Sequence, residues 1–122
     1  MARAFQHQMI VRREHLNPYG SLTGGAVFHV VDELAFAACV RTHPGRNFVT
    51  RAVLGTEFTA PARLGDVLEF SFGIEHRGRT SVHVRVEMLV HDGTDGRSTP
   101  AFDGTVVMVC VDREGRPAPL RD

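Results

Sequence analysis

The chain is 122 residues long and 43% apolar, and its 14 basic residues, every one of them Arg, balance 14 acidic ones. That length suits one domain over residues 1–122 with a single core, and the zero formal net charge offers no whole-chain field of the kind that nucleic acid or an anionic membrane selects. Cys39 and Cys110 are the only cysteines and stand apart from any CxxC or Cys/His cluster, which argues against a disulfide scaffold or a structural zinc site and suits a reduced, cytoplasmic protein with no metal.

In chain order, the N-terminal "MARAFQHQMIVRREH" has no apolar core of the signal-peptide kind, and residues 5–13 predict a first strand. "HLNPYGSLTGG", 15–25, is a loop, because its Pro, Tyr and three Gly break any regular period. Ser21 or Thr23 can then cap a helix predicted from about Gly24 to Arg41, which "HPG" at 43–45 ends. Only strands follow. They cover 47–60 with a bulge expected at Gly55, then 66–78, then 79–91, then 103–113. The turn 61–66 and the loop 92–100 separate them, and the tail after 113 reads as frayed. In 79–91, Val82, Val84, Val86, Met88 and Val90 share one face; in 103–113 adjacent apolar residues predict burial on both faces.

The helix poses the main question. Twelve of the fifteen residues from Ala26 to Val40 are apolar, yet Asp32 and Glu33 sit in the middle, with His29 one turn earlier. The segment is too short and too interrupted to span a bilayer. An all-round apolar helix reads as a core helix, about 27 Å long at 1.5 Å per residue, with a curved sheet around it. A buried carboxylate then needs a partner or a function, and burial raises its pKa toward that of a useful base.

Asn17-x-x-Gly20-x-x-x-Gly24-Gly25, Asp32 seven residues later, "FVT" at 48–50, "FTAPARLGD" at 58–66 and "RGRTSVHVRVEM" at 77–88 together resemble the hotdog-fold acyl-CoA thioesterases over residues 9–111. The "VT", "GD" and "GRTS" elements resemble the YciA and brain acyl-CoA hydrolase branch; "VVDELAFAACV" is equally similar to the PaaI-type phenylacetyl-CoA thioesterases. The resemblance implies an α+β hotdog fold, a five-stranded antiparallel sheet wrapped around one long central helix. It implies hydrolysis of an acyl-CoA, with CoA as part of the substrate and no separate cofactor. It also implies active sites at a dimer interface and a homo-oligomer, at least a dimer and then a tetramer or hexamer.

Under that resemblance Asp32 is the catalytic carboxylate, acting as base or nucleophile, and Asn17 orients water or thioester. Read from the residues alone, Asp32 is better taken as a structural Asp bonded to His29, and Asn17 is equally an Asn-Pro turn residue. Gly24 and Gly25 open a helix, where free N–H groups and the positive dipole end can hold an oxyanion. Asp32 lies about 12 Å further along the same axis, too far from an oxyanion held at Gly24, so both act on one substrate only from different copies. Thr50 can approach the site, and Gly78, Arg79, Thr80 and Ser81 form the stretch that contacts CoA in the family, with Arg51, Arg63 and Arg77 as further phosphate candidates. Glu33 points about 100° away and reads as an interface or solvent residue. Phe28, Phe36 and Phe58 can line an acyl pocket. Two other functions remain: a hotdog hydroxyacyl-CoA dehydratase, with His15 near Asn17, and a non-catalytic acyl-CoA-binding domain.

Overall fold

Residues 4–121 are described in a computed structural model of the chain. Strand β1 (Ala4–Ile10) leads through a short 3-10 turn at Arg13–His15 to helix α1 (Gly24–Thr42). Four strands follow: β2 (Asn47–Phe58), β3 (Val67–Arg77), β4 (Ser81–His91) and β5 (Ser98–Val111). All pairings are antiparallel, in the order β1-β3-β4-β5-β2, so β1 and β2 are the edges. The helix packs against β2, β3, β4 and β5. This is the five-stranded sheet with one long helix that the resemblance implies.

Alternation builds the concave side of the sheet. Val82, Val84, Val86, Met88 and Val90 are all buried, facing Leu68, Phe70, Phe72 and Ile74 of β3 across the pair. Each such side chain contributes roughly 1.5–3 kcal/mol by leaving water. The run Val106–Cys110 is buried on both faces, as its unbroken apolar character predicts. Bulges help the sheet wrap: β2 slips register between Leu54 and Glu57, around Gly55 at φ +59°, and also between Thr50 and Ala52.

Three expectations need correction. The helix is not buried all round. Val27, Val31, Leu34, Ala35, Ala38 and Cys39 are buried, whereas Phe28, His29, Asp32, Glu33, Phe36, Ala37 and Val40 are exposed. Apolarity on the outer face hid the division. Strand β5 begins at Ser98, not 103. Pro100 suggested a loop, but it sits opposite Leu89 beside the register slip between Met88 and Leu89, where a missing N–H is tolerated. Finally, the tail is ordered. Pro117 bridges Val111, Ala118 N–H donates to Cys110 O at 2.8 Å, and Leu120 N–H donates to Arg79 O at 2.9 Å. Leu120 itself is buried, and that single apolar anchor is what the polar composition of the tail concealed.

Candidate active site

The loop before α1 is a closed turn. Asn17 N–H donates to Ser21 O, and the Asn17 side-chain oxygen accepts from the N–H groups of Tyr19 at 2.9 Å and Ser21 at 3.0 Å. Asn17 therefore does what a turn Asn does, and its Oδ1 is committed to the backbone. Leu22 N–H donates to Ala62 O and Thr23 N–H to His15 O, which pins the loop to its neighbours. His15 Nδ1 in turn accepts from Arg12 N–H at 2.9 Å, so the imidazole that a dehydratase would need serves the turn.

Thr23 is the helix cap, accepting from Ala26 N–H at 3.1 Å. The first two helical N–H groups, of Gly24 and Gly25, donate to no acceptor among the described residues. A Cβ on Gly25 would meet nothing within 4 Å, while one on Gly24 would lie 3.5 Å from the Phe58 ring. Those N–H groups stand at the positive end of a 19-residue helix, a favourable place for a developing oxyanion. Beside them lies a groove of about 470 Å³ lined by Leu22, Gly24, Val27, Phe58 and Met88 among others. Phe58 and Phe28 pack edge to face at 5.5 Å, so of the three predicted acyl-pocket phenylalanines one lines the groove and a second supports it.

Asp32 is exposed on the outer face of α1, and its hydrogen bond comes from Thr50 Oγ1 of β2, not from His29. Thr50 Oγ1 also lies 3.4 Å from the Met108 sulfur in the adjacent strand, a weaker alternative acceptor for its one proton. The structure thus joins Asp32 to Thr50, two residues named from sequence, by a bond that spacing could not reveal. Glu33 is exposed, in keeping with its reading as an interface or solvent residue.

"GRTS" forms the turn into β4. Gly78 N–H donates to Ser81 O at 2.8 Å, and a Cβ at Gly78 would come within 2.7 Å of Ser81 Oγ, so a larger residue there would have to turn the Ser81 hydroxyl aside. The carbonyls of Arg79 and Thr80 accept from Leu120 and Cys110. Sequence reasoning missed what surrounds this turn: the ordered tail, and His43 at the helix C-cap, whose Nε2 accepts from Arg77 Nε at 3.3 Å. Burial and then the Arg77 charge hold the His43 pKa below its usual value, so the ring is neutral and serves as an acceptor. Cys39 and Cys110 are free and buried, and burial pushes the Cys39 thiol up to about 12.

Known proteins resemble this chain throughout. At 29% identity over 97 residues it matches Protein VdlD of two Helicobacter pylori strains, 26695 and J99, covering 80% of this chain. The chain spans about half (55%) of the length of those curated relatives. Among solved structures, an apo-hexameric acyl-CoA thioesterase superposes with TM-score 0.86 at 29% identity, covering 95% of this chain and 74% of that one. An acyl-CoA hydrolase from Bacillus cereus gives TM-score 0.86 at 25% identity, covering 95% and 70%. The sequence pattern of the thioesterase superfamily matches residues 19–96, from the loop before the helix through β4, and the chain belongs to that superfamily.

Proposed function

We propose that the chain is an acyl-CoA thioesterase: it adds water across the thioester, releasing the carboxylic acid and CoA thiol. The observation that carries this reading is Asp32, an ionisable group on an exposed apolar helix face and held by Thr50, in a chain of this superfamily. A carboxylate so placed has two routes. It takes the proton of an attacking water, or it attacks the carbonyl carbon, expels the thiolate and leaves an anhydride that water then cleaves. Either route needs the carbonyl oxygen polarised, and the free N–H groups of Gly24 and Gly25 suit that task.

One copy cannot supply both. Asp32 lies about 12 Å along the axis from Gly24, whereas reacting atoms must approach to about 3–3.5 Å. The active unit is therefore a homodimer with α1 helices antiparallel. Each site takes Asp32 and Thr50 from one copy and the Gly24–Gly25 end, with its Asn17 turn, from the other. The exposed Phe36 and Val40 of α1, with Val49, Val53 and Leu54 along the open edge of β2, form the apolar surface that such a dimer would cover. Dimers can assemble further, to tetramers or hexamers. Gly78, Arg79, Thr80 and Ser81 hold the CoA moiety. The reaction needs no cofactor and no metal, and the two free cysteines suit the cytoplasm. The test is thiol release across short, long and aromatic acyl-CoAs, run beside hydration of crotonyl-CoA. Thiol release with at least one thioester is expected. Binding without release, or hydration alone, would replace this reading.

A further inference from the structure

Strands β3 and β4 form a hairpin, and its outer face carries two histidines that a thioester chemistry centred on Asp32 does not use. Val82 and Val84 are buried toward the helix, so His83 between them stands on the opposite face of the sheet. His76 lies directly across from it on β3, with ring centres 5.2 Å apart and ring planes at 76°. His76 is exposed and His83 half-buried.

A bulge creates this pairing. A regular ladder continued from the Ile74–Val84 pair would set Glu75 opposite His83, a carboxylate beside an imidazole. The register instead slips between Ile74 and His76, so Glu75 becomes the extra residue and His76 takes its place. Thr105 Oγ1 of β5 donates to Glu75 Oε2 at 3.5 Å. The neighbouring cations are engaged as well. Arg85, two residues along β4, has Asp103 at 3.4 Å, and Arg77, next to His76, donates to His43. The two imidazoles keep their nitrogens. Among the described residues neither ring makes a hydrogen bond, whereas the rings of His15, His43 and His91 all do.

Two adjacent imidazoles repel when both are protonated; when neutral, each presents a lone pair that a shared cation can take. With a zinc–nitrogen bond of about 2.0–2.1 Å each ring centre lies about 3.2 Å from the ion, and a tetrahedral angle sets two centres about 5 Å apart. The rings of His76 and His83 already stand at that separation.

We infer that His76 and His83 together bind a divalent transition ion of the zinc class, one per chain, on the face of the sheet turned away from Asp32. Among the described residues no third His, Cys, Asp or Glu completes a metal site. The pair therefore supplies two of four positions and water the others. The ion ties β3 to β4 and stabilises the folded chain, because the unfolded chain does not hold the two rings together. His76 and His83 stand seven residues apart and match no ligand motif in sequence; hairpin pairing and the bulge make them neighbours.

The test is calorimetric titration of the full chain with Zn²⁺, in wild type, His76→Ala and His83→Ala. Wild type should take up one ion per chain. Each variant should bind at least about tenfold more weakly, since a lost ligand costs no less than a lost outer partner. Zn²⁺ should also raise the urea midpoint of wild type and leave that of His76→Ala unchanged. A readout independent of stability uses Cu²⁺, whose electron paramagnetic resonance should show two coordinating nitrogens in wild type and one in each variant. Absence of Zn²⁺ uptake, or uptake unchanged in both variants, overturns the inference. A loss in one variant alone assigns the ion to a single imidazole and overturns the shared site.

Discussion

The inner and outer faces of α1 have nearly the same apolar composition and opposite surroundings. Inside, Val27, Val31, Ala35 and Ala38 are at most 1% exposed. Outside, Phe28, Phe36 and Val40 are at least 36% exposed and stand among His29, Asp32 and Glu33. The inner face is matched by the sheet of its own chain. On the outer face Phe28 packs on Phe58 and the Asp32 carboxylate accepts from Thr50, while Phe36 and Val40 stay exposed. The difference teaches that an apolar helix in this fold answers to two demands, the core of one copy and the proposed junction of two.

The comparison breaks most sharply at Asp32. Asp32→Asn keeps size and fold, and kcat for thiol release should fall by about 10²–10⁴-fold, the usual worth of a lost base. Unchanged hydrolysis in a folded variant would remove Asp32 from the reaction. Mixing sharpens the point. Asp32→Asn subunits co-refolded with Asn17→Ala subunits, whose 17–21 turn is released, give hybrids with one intact site of two. Random pairing then restores about a quarter of wild-type activity. Confirmed hybrids without recovery would place each site within one chain.

The faces themselves are tested by a pair of substitutions. Leu34→Ala on the inner face should cost about 2–5 kcal/mol of unfolding free energy, because a cavity opens in the core. Phe36→Glu on the outer face should leave the subunit folded but shift sedimentation toward the 13.5 kDa monomer, with activity lost alongside. An intact dimer carrying Glu at 36 would mean that the outer face is covered by something else. A smaller effect is expected at Thr50. Thr50→Val removes one hydrogen bond to a carboxylate and should lower kcat about tenfold with KM little changed.

The effect furthest from the site concerns Cys39 and is confined to alkaline pH. Its folded thiol is held near 12 against an ordinary 9.0. Above pH 9 the unfolded chain releases this proton while the folded chain retains it, so folding stability falls as pH rises from 9 toward 12. Urea unfolding across that window should show a shallower decline for Cys39→Ala than for wild type. Parallel declines would show that another group governs the alkaline limb.

Much of this was legible in the order of residues. Strand β4 follows from alternation, because a half-buried strand repeats every two residues. The helix follows from Thr23 and the Gly pair at its start and "HPG" after its end, because caps and breakers act within a turn. Asn17, Gly24, Gly25, Asp32, Thr50 and the turn at 78–81 were named from motif and order, since local chemistry is written locally. Tertiary structure alone decided what those residues touch. It bonded Thr50 to Asp32, tied the Asn17 side-chain carbonyl into its own loop, left Phe36 and Val40 of α1 exposed, and folded a polar tail back to set Arg121 beside Arg77. Each of these depends on contacts between segments far apart in the chain, and long-range packing leaves no period, cap or turn signal by which a sequence can announce it.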